Sequence, residues 1–234
     1  MRIPRFFTMS CISLALARSS FAAIVFQSGT LGPTDVTKAE LLNQTVLGTN
    51  VNPDVFVGVR FELTHAAMTS RIGGHFAGGF GSDVFFGAIT KLSDISDFPD
   101  SDDLSSSDVI GQALLSFPHP SQEVLTDFSV MLEPGWYALV FGSGLFGASG
   151  TGGAVRNGLD IGTPSYIGWQ TGGTGWFNLS DLSEFHLFNN HHFVIEGHFT
   201  PEPATISLLV AAFLTIASMR ERRQCRRSIA HRVT

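Results

Sequence analysis

Over residues 23–200, the pattern that constrains the chain most is an apolar period of two. Within 54–64, Val55, Val57, Val59, Phe61 and Leu63 alternate with Phe56, Gly58, Arg60, Glu62 and Thr64. That is the pattern of a half-buried strand. Further strands are expected at 23–27, 70–76, 83–91, 109–117, 123–132, 166–170, 176–179 and 192–199, set apart by turns such as Glu133-Pro134-Gly135. Residues 136–141 (WYALVF) are apolar on both parities, which belongs to a central strand covered on both faces. Helix is scarce, with room for one turn at 37–42. Roughly eight to ten short strands between Gly/Pro turns predict an all-β domain, an antiparallel β-sandwich or jelly roll. The 25 glycines suit tight corners and the 21 phenylalanines suit an inter-sheet core.

The two ends read differently. Arg2 and Arg5 precede a mostly apolar stretch at 6–17, and Ser20-Phe21-Ala22 offers small residues for cleavage after Ala22, the pattern of a signal peptide over 1–22. Thr8-Met9-Ser10 before Cys11 is a poor lipidation motif and falls too early. At the other end, Pro201-Glu202-Pro203 is followed by a run without charge at 204–219 and an arginine-rich end at 220–227, with Arg220, Arg222, Arg223, Arg226 and Arg227. As a helix the run would rise about 24 Å at 1.5 Å per residue, short of a hydrocarbon core of about 30 Å. Snorkelling arginine stems and local thinning make up the difference. No face of the run is polar, so a membrane segment with its arginines on the cytoplasmic side fits better than a buried core helix.

In order and position, the three parts of this tail resemble the PEP-CTERM sorting domain of exosortase substrates in Gram-negative bacteria that make extracellular polysaccharide. Parts of the body, at 71–76, 84–91 and 134–150, also resemble uncharacterised PEP-CTERM proteins. The resemblance implies Sec export, a membrane-anchored intermediate held by the 204–219 helix, and recognition of Pro201, Glu202 and Pro203 by an exosortase-type processing enzyme. The body would end on the cell surface or in the extracellular matrix. It would have a structural or interaction role there, with extracellular polysaccharide as a further partner.

Both cysteines, Cys11 and Cys225, lie in the end segments, so no disulfide is expected in the body. Its about 178 residues are enough to bury roughly 70% of the unfolded surface in one unaided domain. Over 23–200 five basic residues stand against eighteen acidic ones, a net of −13, which opposes nucleic-acid binding.

Sharper motifs weaken on inspection. Residues 142–147 fit G-x-G-x-x-G, but the glycines that follow oppose the helix a dinucleotide site needs, at about 1 kcal/mol each. The acidic loop at 93–108 (Asp94, Asp97, Asp100, Asp102, Asp103 and Asp108) lacks calcium-loop spacing and reads as solvated. His186, His191, His192 and His198 are enough for a zinc site in number, but His191 and His192 would point to opposite faces of a strand, and His192 and His198 would lie about 20 Å apart along it. Surface histidines are therefore expected. Glu62, Glu123 and Glu184 are acids of the type a glycosidase uses, which keeps a secreted jelly-roll polysaccharide hydrolase as a lower alternative, with nothing to select them. No catalytic residue, metal ligand or cofactor is assigned. Tyr166, Trp169 and Trp176, in a Gly-rich region, are candidates for a glycan-stacking platform; the alternative is that they plug the end of the sandwich.

Overall fold

The computed structural model describes residues 22–37, 40, 48–78, 83–104, 109–173, 175–179, 190–200 and 215. The residues before Ala22 read as a signal peptide, the Pro201–Pro203 motif, the expected 204–219 helix and the arginine cluster lie outside them, apart from Thr215.

The strands, in chain order, are β1 (Ala23–Gln27), β2 (Gly48–Val51), β3 (Val55–Leu63), β4 (Ala67–Gly78), β5 (Val84–Leu92), β6 (Val109–Ser116), β7 (Gln122–Asp127), β8 (Met131–Leu132), β9 (Gly135–Gly142), β10 (Gly152–Val155), β11 (Ser165–Gln170), β12 (Gly175–Asn178) and β13 (Phe193–Phe199). They form two antiparallel sheets packed as a β-sandwich. The seven-stranded sheet runs β1-β13-β4-β10-β2, with β7 and β8 also paired to β4. The six-stranded sheet runs β12-β11-β3-β9-β5-β6.

Alternation decides which side chains meet between the sheets. Val57, Val59, Phe61 and Leu63 of β3 point inward, as do Tyr137, Leu139 and Phe141 of β9 and Ile72 and Phe76 of β4. Phenylalanines fill much of that space. Phe85 stacks on Phe117 at 4.1 Å, and Phe76 meets Phe141 edge-on at 4.9 Å. The buried Tyr137 hydroxyl donates to the Glu133 carbonyl at 2.6 Å, the arrangement of a tyrosine corner at the entry to β9.

The six-stranded sheet has no solvated face over its centre. Phe56, Phe86, Ala88, Ala138, Val140 and Ile167 form a second buried cluster on its outer side, closed by Leu104 and Ala148 from loops. This meets the expectation for 136–141. It corrects the half-buried reading of 54–64, because Phe56 and Arg60, on the nominally polar parity, are 2% and 5% exposed. The acidic loop is likewise more than solvated: beside its carboxylates it supplies the 1%-exposed Leu104 and the half-buried Phe98 to this layer.

Other expectations shift locally. The strand expected at 123–132 divides into β7 and β8, because the Phe128 N–H turns to the Ser70 carbonyl and the Val130 N–H to the Thr69 hydroxyl. β2 and β10, not foreseen, pair with each other, and β10 also pairs with β4. Of the helical turn at 37–42 only Thr37 and Glu40 are described; the Glu40 carboxylate accepts from the Thr37 N–H at 2.7 Å and Thr37 Oγ1 accepts from the Glu40 N–H, a capping box.

Candidate functional site

The three aromatics proposed as a platform do not share a face. Tyr166 is 2% exposed and points between the sheets, where its hydroxyl donates to Asp160 Oδ1 at 2.6 Å and lies 3.0 Å from the His191 carbonyl. Burial and the Asp160 carboxylate hold its pKa far above the usual phenol range. It is therefore removed from any glycan surface, because alternation along β11 sends Tyr166 inward and Trp169 outward. Trp169 and Trp176 are cross-strand partners on the outer side, both half-buried. Phe56 stacks on Trp169 at 4.6 Å, and the Trp176 indole N–H donates to the Ser101 carbonyl at 3.1 Å.

His191 and His192 overturn the surface expectation, whereas His198 is exposed as expected. His75 and His191 are fully buried and His192 is 3% exposed. His191 Nε2 lies 2.9 Å from Thr49 Oγ1, while His192 Nε2 lies 2.8 Å from Glu123 Oε1 and its Nδ1 2.6 Å from the Gly29 carbonyl. His75 Nε2 lies 3.0 Å from Ser121 Oγ, and its Nδ1 2.6 Å from Asn157 Oδ1. That order matches a nucleophile, a base and an orienting amide. Yet Ser121 is 1% exposed, and its Oγ accepts the Val36 N–H at 2.9 Å. Asn157 Oδ1 accepts the Gly32 N–H at 2.6 Å. These groups lash the segment after β1 across the seven-stranded sheet, with Val36 packed on Ala77 and Val155.

Among the described residues no three of His, Cys, Asp and Glu converge on a metal position. Asp94 Oδ1 accepts from the Ser96 N–H and hydroxyl, and Asp97 Oδ2 from the Ser93 N–H, so these two carboxylates shape their own loop. Those bonds hold both carboxyls below the usual range. Asp108, Glu184 and His186 lie outside the described residues. Glu62 and Glu123 sit in different sheets and do not form a pair. At 142–147 no helix opens; the chain turns back, with the Gly144 N–H on the Ala148 carbonyl at 2.9 Å.

Reading the sequence missed a cleft of about 220 Å³ where β3 outruns β11. β11 begins at Ser165, opposite Arg60, so Phe61, Glu62 and Leu63 have β9 on one side and, among the described residues, no strand on the other. Trp136 and Glu62, direct cross-strand neighbours, line the cleft, as do Phe61, Ile161, Thr163 and Pro164. Arg60 also lines it, its Nη1 donating to the Asp97 carbonyl at 3.0 Å and its Nη2 to Ser165 Oγ at 2.7 Å and to Asn178 Oδ1. Its guanidinium carbon lies 4.9 Å over the Phe98 ring. Glu62 is exposed, and no hydrogen bond or ion pair engages it among the described residues. Local sequence carries no sign of this cleft, because Glu62 meets Trp136 only through the β3–β9 register.

No family model and no curated protein matches the chain.

Proposed function

We propose that this chain is an exported protein of the cell envelope or extracellular matrix, delivered through its sorting tail, whose β body has a structural or interaction role there. One observation supports this most directly. β1 starts at Ala23, immediately after Ala22, and β13 ends at Phe199, two residues before Pro201. The two strands pair with each other, Ala23 opposite Gly197. A leader removed after Ala22 and a tail removed at Pro201, Glu202 and Pro203 would leave every described strand and its pairing intact. Both cysteines fall outside the trimmed body, which suits an oxidising compartment.

On this reading the 204–219 segment, with Arg220, Arg222 and Arg223 as its cytoplasmic stop, anchors an intermediate that an exosortase-type enzyme then processes. The acidic body stays soluble and away from anionic surfaces. Mass spectrometry of the protein recovered from its native cells tests the reading. The expected product begins at Ala23 and lacks the arginine cluster; a chain intact at both ends, or one lacking only the leader, overturns it. A second reading, a carbohydrate-binding body on the cell surface, is favoured by the cleft beside Trp136.

A further inference from the structure

We infer that the cleft between β3 and the segment leading into β11 binds one pyranose unit of a neutral polysaccharide, with Trp136 as the ring's apolar floor and Glu62 as acceptor for its hydroxyls. The inference deepens the carbohydrate-binding reading and is independent of how the protein is sorted. It also moves the glycan site from Trp169 and Trp176 to the opposite end of β3.

Size and wall chemistry together select the ligand. At about 220 Å³ the cleft is smaller than the roughly 300–1,000 Å³ typical of pockets for drug-sized ligands, so it suits one ring rather than a large ligand. A wholly apolar group would cover the Glu62 carboxylate and the open polar edge of β3 without giving them partners, which is costly. An anion would meet Glu62 and the net charge of −13 carried over 23–200. A cation would pair with Glu62 but would also face the Arg60 guanidinium, held in the lining by Ser165 and the Asp97 carbonyl.

A neutral hydroxylated ring avoids all three conflicts. Its C–H face lies against an indole, while each hydroxyl both donates and accepts. Glu62 accepts a hydrogen bond from a hydroxyl, the Thr163 hydroxyl serves in either role, and Ile161 and Pro164 add apolar lining. The cleft is open to solvent, and Ile95 and Ile161 are 43% and 44% exposed at its edge, so a ring within a longer chain can enter without threading.

Saturation-transfer NMR on the exported protein tests this, with the methyl glycosides of glucose, galactose and mannose as neutral probes and glucuronate and glucosamine as charged ones. The expected result is transfer from at least one neutral glycoside and from neither charged sugar. Trp136→Ala should abolish it, Glu62→Gln should weaken affinity about tenfold through one lost charged hydrogen bond, and Trp169→Phe should leave it unchanged. If Trp136→Ala does not fold, Thr163→Val, in a surface loop, takes its place and should also weaken binding. Neutral-sugar binding that survives Glu62→Gln together with Trp136→Ala or its replacement overturns the cleft while leaving the carbohydrate reading standing. Binding by charged sugars only overturns the inference, and no binding by any probe sinks both.

Discussion

Phe26 stacks on Phe61, ring centroids 4.6 Å apart and planes 22° apart, and so pins β1 of one sheet onto β3 of the other. Among the described residues β1 is an edge strand, bonded to β13 alone, with an irregular register between Ile24 and Phe26. The stack is therefore a main anchor for the amino end of the body. Phe26→Ala should cost about 2 kcal/mol, below the range for fully buried phenylalanines because Phe26 is half-buried. Urea denaturation reads that loss, and limited proteolysis should release β1 earlier. An unchanged urea midpoint would show that β13 alone holds the strand.

Arg60 holds the acidic loop to the outer side of the six-stranded sheet. Its guanidinium ties Ser165, Asn178 and the Asp97 carbonyl together at 5% exposure. Arg60→Met keeps the stem but strands those acceptors, and should lower stability by about 2–4 kcal/mol. Lysine cannot reproduce the planar fork and should recover only part of it. Equal unfolding midpoints for the wild type and both variants would contradict this role.

Acid should loosen the fold through its buried imidazoles. Burial pushes the pKa of His191 down from 6.5 to about 4, and burial lowers that of His75 as well. Between these values the unfolded chain binds a proton at His191 that the folded chain does not, so stability falls as pH drops from about 6.5 towards 4. Below that both states are protonated and this contribution levels off. The gap is worth on the order of 3 kcal/mol. Urea midpoints at pH 7 and pH 4.5 measure it, and His191→Gln should flatten the difference. A midpoint that rises on acidification would reverse the sign of the argument.

Gly73 permits the close approach of β4 and β7. A Cβ at this position would run into the Val124 carbonyl, which is backbone and cannot step aside. Gly73→Ala should therefore cost several kcal/mol, in the range of severe overpacking. Gly147 contrasts with it: φ is +84° and nothing lies within 4 Å of an added Cβ. Gly147→Ala should cost only about 1 kcal/mol, the price of the left-handed backbone. Thermal unfolding of the two variants separates steric from conformational cost; equal losses would mean that β7 can shift.

By itself the sequence determined the class of the fold, most of its strands and the inward side of β3, because side-chain alternation is written locally and every second residue must share a face. It also showed that β9 is covered on both sides, since no polar parity was left to face water. β2 and β10 escaped it because Gly48–Val51 and Gly152–Val155 are short and glycine-bearing, and are ordered by pairing with each other and with β4. The burial of Arg60, His75 and His191, the inward turn of Tyr166 and the meeting of Glu62 with Trp136 were decided only by tertiary structure. Each depends on which distant segment lies across the strand. That is a matter of register between strands and of loops folding back, and no local period encodes it.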